Sequence, residues 1–180
     1  LIYTSNKNNL YVNLFIPSRL NWKTQEVVIT QNTRFPDEET VAFSINTAKA
    51  SKFTLHLRYP AWVAAGALKV TVNGKPVAVT ALPGSYLAIN RKWKDGDKVL
   101  LQLPMQTKVE ELPDKSNYIA VFHGPIVLAA KTDTTELKGL FADDSRGGHV
   151  ASGRQFPIAE MPMFVSDKKD IAASIRPVPG

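Results

Sequence analysis

The feature that most constrains this chain is a period of two in its apolar residues between residues 52 and 104. Phe53, Leu55 and Leu57 alternate with polar residues, which is typical of a strand with one face in a core and the other in water. Residues 68–72 repeat the pattern and lead into Asn73-Gly74, a pair that tolerates the positive φ angles of a type I′ turn. The stretch therefore predicts four or five short antiparallel strands that form a sheet.

The same signals continue before this stretch. Apolar residues alternate in 10–16 and again in 41–45, and residues 26–31 are a β-branched run that favours a buried strand. Turn signals recur about every ten residues, a spacing typical of sandwiches, and no long helical period interrupts them. The sequence therefore predicts an all-β fold, an antiparallel β-sandwich of the jelly-roll type.

Beyond residue 104 the strand signals are more widely spaced. We expect strands at 106–110, 118–122 and 126–130, then a long ordered excursion, and one last strand within 167–180. A domain boundary is predicted near residue 112. Residues 1–112 are then a β-sandwich domain, and 113–180 supply further strands and a long loop that either complete the sandwich or form part of a second, smaller β-domain.

The charge of the chain bears on its partners. The net charge is +6, but the densest basic cluster, residues 91–98, is interrupted by Trp93, Asp95 and Asp97. A surface that tracks phosphates needs a stripe of uncompensated cations, so a solvated basic surface is favoured over nucleic-acid binding. No apolar run approaches the roughly 18 residues of a membrane span, and the first residues lack the pattern of a signal peptide. We expect neither nucleic acid nor membrane as a partner.

Several motifs together resemble a known enzyme family. They are LRYPAW (57–62), VNG (72–74), PGSYLAINRKWKDGD (83–97), LQLPM (101–105), GPIVLA (124–129) and, in the flanks, LYVNLFIPSRLNW (10–22) and DDSRGGHVASG (143–153). This string is similar to the region that follows the catalytic barrel in bacterial glycoside hydrolases of family 127, which resemble β-L-arabinofuranosidases. The resemblance covers most of the chain.

The resemblance implies that the chemistry lies elsewhere. In that family a cysteine nucleophile and a zinc ion, held by cysteines and a glutamate, belong to an (α/α)6 barrel that precedes this region. The chain has no cysteine, so no catalytic, cofactor-binding or metal-binding residue is assigned, and zinc is implied only for the missing barrel. The chain begins at leucine and is expected to be the non-catalytic C-terminal accessory sandwich of such an enzyme. Its own barrel is the expected partner, and a homodimer and a plant-derived glycan are further candidates. The family suggests a periplasmic or extracytoplasmic location.

Candidate contacts with a glycan or a neighbouring domain come from two kinds of residue. Trp62 and Trp93 lie at predicted strand ends, where a ring serves the core, an interface or, less commonly, a sugar platform. Asp144, Arg146 and His149 share a Gly-rich loop whose carboxylate and guanidinium suit adjacent sugar hydroxyls, unless Asp and Arg pair with each other. The alternative function is therefore a carbohydrate-binding module for arabinose-containing plant glycans.

Independent catalysis is not favoured. Adjacent carboxylates, such as Glu38-Glu39, Glu110-Glu111 and Asp143-Asp144, point to opposite faces of a strand, whereas a glycosidase needs two carboxyl groups that face each other. His56 falls on the polar side of its predicted strand and is interpreted as a surface residue. His123 precedes Gly124-Pro125, which predicts a role in a tight turn. The three histidines of the chain show no metal-binding spacing.

Overall fold

The structure is a computed structural model that describes residues 1–111, 113, 119–129, 167 and 170–176. The chain divides into two compact units. The first unit comprises residues 1–108 and 122–126, and the second comprises residues 109–121 and 127–180. The regular secondary structure in the described part of the chain is almost entirely β-strand, as the sequence predicted.

The first unit contains two large sheets. In chain order their strands are β1 (Tyr3–Asn6), β2 (Asn9–Val12), β3 (Ser18–Trp22), β4 (Val27–Thr33), β5 (Thr40–Thr47), β6 (Ser51–Arg58), β7 (Lys69–Val72), β8 (Lys75–Val77), β9 (Tyr86–Trp93) and β10 (Asp97–Gln102). The first sheet has the order β1-β2-β6-β9, and the second has the order β3-β4-β5-β10-β7-β8. A short 3₁₀ turn, Lys23–Gln25, joins β3 to β4.

The apolar alternation of the strands builds one core between these sheets. On β6, Phe53, Leu55 and Leu57 are buried while their neighbours are partly or fully exposed. The same core cluster contains residues from the second sheet, such as Ile29 of β4 and Phe43 of β5. The predicted β-sandwich is therefore confirmed, because both sheets bury their apolar faces in a shared core.

The strands of residues 52–104 do not form one sheet, contrary to the prediction. β6 and β9 belong to the first sheet, whereas β7, β8 and β10 belong to the second. The turn at Asn73-Gly74 does form a hairpin, and both residues have positive φ, 52° and 77°. The connection from β9 to β10 instead carries the chain across the sandwich. A period of two predicts which side chains are buried but not which strand is the neighbour.

Two further details differ from the sequence prediction. The strand expected over residues 10–16 ends at Val12, and Leu14 and Ile16 are 44% and 45% exposed. The chain leaves the first sheet there, and the buried Gln31 amide donates hydrogen bonds to the carbonyl oxygens of both exposed residues. The pairing of β2 with β6 is parallel, although the other pairings of the two large sheets are antiparallel.

Three more strands form a small sheet. They are β11 (Thr107–Glu111), β12 (Ile119–His123) and β13 (Ile126–Leu128), in that order across the sheet. Within the predicted last strand, the structure has instead a single helical turn, α1 (Ile171–Ser174). Two alanines of high helix propensity occupy its middle, and the Ser174 amide donates to the Asp170 carbonyl at 3.1 Å.

Candidate functional site

Trp93, one of the two predicted tryptophan contacts, ends β9 inside the core. Its side chain is 0% exposed. The indole Nε1–H donates to the carbonyl oxygen of Phe53 at 3.1 Å, and the rings of Trp93 and Phe53 stack with centroids 5.5 Å apart. A ring with no exposed face cannot stack on a sugar, so Trp93 acts as a core residue.

Trp62, the other predicted contact, is only half-buried. It packs against the edge of the core, and its ring stacks on Phe35 with centroids 6.0 Å apart and an interplanar angle of 16°. Phe35 in turn meets Phe15 edge-on at 5.8 Å. The carbonyl oxygen of Trp62 accepts a hydrogen bond from Lys108 Nζ at 3.4 Å. Trp62 therefore closes an aromatic row at one end of the sandwich and retains some exposed surface.

The predicted loop residues Asp144, Arg146 and His149 lie outside the residues that the structure describes. Their assignment as glycan or domain-interface contacts stays a prediction.

Asp97 is the most strongly held carboxylate of the first unit. It accepts hydrogen bonds from Asn73 Nδ2 at 2.7 Å and from the Lys94 amide at 2.9 Å, and Arg91 lies 3.6 Å away. Burial alone would raise the pKa of Asp97, but these hydrogen bonds, together with the positive charges of Arg91 and Lys94, outweigh it and hold the pKa below its ordinary value. Asp97 is therefore ionised and serves to fix the β9–β10 connection, which suits a structural role.

The adjacent carboxylates Glu38 and Glu39 are engaged separately. Glu38 pairs with Arg34 at 3.2 Å on the surface, whereas Glu39 Oε1 accepts a hydrogen bond from the Met105 amide at 2.6 Å. The two side chains hold different parts of the chain and do not face each other across a cleft. This geometry is not the opposed carboxylate pair that most glycoside hydrolases use.

Residues that the sequence did not group come together on the outer face of the first sheet. The rings of Tyr11 and His56 stack with centroids 4.1 Å apart and an interplanar angle of 11°. Tyr86, which is 36% exposed, meets the edge of Tyr11 at 5.4 Å. We call Tyr11, His56 and Tyr86 the aromatic platform.

Amide side chains fix the platform in place. Nε2–H of His56 donates to Asn9 Oδ1 at 3.0 Å, and the hydroxyl of Tyr86 donates to Asn13 Oδ1 at 2.8 Å. Burial lowers the pKa of the His56 imidazole, so the neutral form is favoured near neutral pH. His56 does lie on the outer face, as its strand position predicted, but it is partly buried and stacks on Tyr11. The two-residue period of the sequence could have predicted that these three residues lie on an outer face. It could not have predicted that they are neighbours.

A second surface feature lies on the outer face of the second sheet. It is an open groove of about 430 Å³, which we call the sheet groove. Its outward-facing lining is partly or fully exposed and consists of four polar side chains, two aliphatic ones and one cation: Thr30, Asn32, Ser44, Thr71, Ala42, Leu100 and Lys98. Leu100 is the one large aliphatic side chain of this lining, and no exposed aromatic ring belongs to it.

Metal-binding clusters and helices able to span a membrane are both absent from the described residues. No group of three or more His, Cys, Asp or Glu side chains in the described ranges is placed to hold a metal ion. In the same part of the chain, no helix has the length and apolar character needed to cross a membrane.

Comparison with known families assigns the larger part of the chain. A family model described as the β-L-arabinofuranosidase, GH127 middle domain matches residues 9–105. The chain belongs to the GH127 family. A second family model, a domain of unknown function (DUF4986), matches residues 108–180 of this GH127 chain. Trp62, Trp93 and the aromatic platform lie within the first match, and Asp144, Arg146 and His149 lie within the second.

Three solved structures of similar fold are glycoside hydrolases. One, a glycoside hydrolase, is 34% identical with a TM-score of 0.62, and the match covers 70% of this chain and 22% of that one. A GH127 β-L-arabinofuranosidase from Geobacillus stearothermophilus T6 is 31% identical with a TM-score of 0.62, over 70% and 21% of the two chains. The GH127 β-arabinofuranosidase BT3674 is 28% identical with a TM-score of 0.60, over 70% and 23%.

The GH127 chain thus spans 21% to 23% of the length of these three structures. A comparison with curated proteins found no match.

Proposed function

We propose that this chain is the non-catalytic accessory β-sandwich of a glycoside hydrolase that resembles β-L-arabinofuranosidases, and that it supports an (α/α)6 catalytic barrel N-terminal to it. The match of residues 9–105 to the GH127 middle domain carries the proposal. The absence of cysteine from the chain supports it, since the resemblance implies a cysteine nucleophile. Under this proposal, the barrel supplies the catalytic residues and any zinc site. A homodimer and a plant-derived glycan stay predicted partners.

The sheet groove is the surface that best suits packing against a barrel. Leu100 is 45% exposed there, and its neighbours across the sheet are Ala42 of β5 and Thr71 of β7. Small side chains around an exposed leucine let an apolar element of another domain approach closely. A rigid sandwich that binds through this groove would hold the barrel and the loops near its cleft in place.

The first test concerns the size and activity of the native protein. An antibody raised against the chain should detect a polypeptide several times larger than 19.8 kDa in the source cells. That polypeptide should hydrolyse 4-nitrophenyl β-L-arabinofuranoside, and the 180-residue chain alone should not. Turnover by the chain alone would contradict the non-catalytic role. A native product of about the same mass as this chain would contradict the link to a barrel.

The second test addresses the sheet groove in the longer polypeptide. Leu100→Asp should lower the unfolding temperature of the catalytic barrel, because a carboxylate cannot enter an apolar contact without a large desolvation cost. The matched control is Leu82→Asp, which changes another exposed leucine, 70% exposed in the loop before β9. Equal effects of both substitutions, or none from either, would remove the groove from the proposal.

A further inference from the structure

The aromatic platform leaves one ring face open. The cross-strand neighbours of His56 are Tyr11 of β2 on one side and Ala88 of β9 on the other. Tyr11 covers one face of the imidazole by stacking at 4.1 Å. Ala88 is exposed, and its methyl group is too short to cover the opposite face. The side of the imidazole above Ala88 is therefore not covered by its cross-strand neighbour.

Free polar groups border this open face. Arg58 lies two residues beyond His56 on β6, and Asn90 lies two residues beyond Ala88 on β9. Both side chains are exposed, and neither has a hydrogen-bond or ion-pair partner among the described residues. A guanidinium binds a carboxylate with two parallel hydrogen bonds, and an amide both donates to and accepts from hydroxyls.

The charged side chains on the outer face of the first sheet are all positive. The outward residues of the first sheet include the cations Lys52, Arg58 and Lys92, whereas β1, β2, β6 and β9 contain no aspartate or glutamate. Arg58 is the cation nearest the platform, and Lys52 and Lys92, which pair four residues farther along the sheet, add to a positive potential that attracts an anionic ligand. An acidic ligand with an apolar ring face is therefore complementary to the platform.

We propose that the aromatic platform binds an acidic saccharide, with a sugar ring stacked on the open face of His56 and the sugar carboxylate held by Arg58. Asn90 hydrogen-bonds a ring hydroxyl. Single-stranded nucleic acid fits less well, because it needs several successive open rings, and here Tyr11 and His56 cover each other. This inference goes beyond the proposed accessory role and does not depend on it.

Calorimetric titration of the 180-residue chain tests the proposal with three probes: digalacturonic acid, the neutral disaccharide arabinobiose and a short oligothymidylate. Saturable binding of digalacturonic acid is expected, together with a shift of the His56 imidazole resonances in NMR spectra. Arg58→Gln should weaken this binding about tenfold or more, because it removes a charge-assisted pair. Ala88→Leu should block it without a change of charge, since the larger side chain covers the ring face.

The matched control is Lys98→Gln, which removes a cation from the outer face of the second sheet. It should leave the affinity for digalacturonic acid unchanged, and all variants should keep the unfolding temperature of the parent chain. Equal weakening by Lys98→Gln and Arg58→Gln would overturn the site in favour of nonspecific attraction. Absence of saturable binding, equal affinity for arabinobiose, or tighter binding of the oligonucleotide would each overturn the assignment to an acidic saccharide. None of these results would bear on the mass of the native polypeptide, which tests the proposed function.

Discussion

At the scale of single residues, Asp97 links two loops that are distant in sequence. Its carboxylate binds Asn73, and Asn73 Oδ1 in turn accepts a hydrogen bond from the Lys98 amide at 2.8 Å. Arg91, which lies beside the carboxylate, also places its guanidinium 5.1 Å from the centre of the Trp93 ring. The buried carboxylate therefore ties the β7–β8 turn to the β9–β10 connection.

Asp97→Asn should destabilise the chain by about 2 kcal/mol at pH 7, because hydrogen bonds to a charged group are stronger than those to a neutral one. The pKa of Asp97 is lower in the folded chain than in the unfolded chain. Its stabilising effect is therefore complete above the ordinary pKa of about 3.9 and is lost as the pH falls through the folded value. Urea unfolding at pH 7 and pH 2.5 should show a gap between parent and variant that shrinks in acid.

The control for this prediction is Asp37→Asn, an exposed aspartate in the turn before β5. It should leave the free energy of unfolding within about 0.5 kcal/mol of the parent value, as most surface substitutions do. A gap for Asp97→Asn that stays constant with pH would show that the ionised form is not what stabilises the connection.

The sequence predicted some of these residue-level features and not others. Asn73-Gly74 was predictable, because positive φ at two successive positions selects these residue types. The burial of Trp93 with its indole bonded to Phe53 was not, since the ring and its acceptor are 40 residues apart in the chain. A motif shows that a tryptophan ends a strand, but the partner of its N–H depends on which strand pairs with that strand, here β6 with β9.

At the scale of elements, the turn between β12 and β13 depends on the size of Gly124. Its φ is 56°, and its amide donates to the Gln106 carbonyl at 3.1 Å. A Cβ at this position would lie 2.6 Å from Cγ and 3.1 Å from Cβ of Met105. Both the backbone conformation and the packing therefore favour glycine.

Gly124→Ala should cost about 2 to 3 kcal/mol of stability, which combines backbone strain with overpacking against Met105. Gly84→Ala is the matched control, because its φ of 85° is also left-handed but nothing lies within 4 Å of an added Cβ. It should cost only about 1 kcal/mol. Thermal unfolding followed by circular dichroism measures both effects.

A double-mutant cycle separates strain from packing at this turn. Met105→Ala should lessen the cost of Gly124→Ala, since it removes Cγ, the nearest atom to the added methyl group. Strict additivity of the two substitutions would mean that the backbone alone accounts for the effect.

At the scale of the whole molecule, pairing between distant strands determines which surfaces exist. The aromatic platform draws on residues 11, 56 and 86, and the parallel pairing of β2 with β6 brings the first two together. A two-residue period could assign each to an outer face, but parallel pairing has no local turn signal that would reveal it. The fold class was predictable from alternation, whereas the platform required the sheet order.

The extent of the sandwich domain is also a property of the whole molecule. The boundary at residue 112 stays a prediction, but residues 122–126 belong to the first compact unit. Gly124 bonds Gln106, and His123 Nδ1 shares a hydrogen bond of 3.1 Å with Thr107 Oγ1. A chain of residues 1–129 should therefore unfold about 5 °C or more above a chain of residues 1–112, since the shorter one loses these two hydrogen bonds and also the pairing of β11 with β12. Thr107→Val in the longer chain removes one of them and should give an intermediate unfolding temperature in calorimetry. Equal unfolding temperatures for the two unmodified chains would instead support a domain that is complete at residue 112.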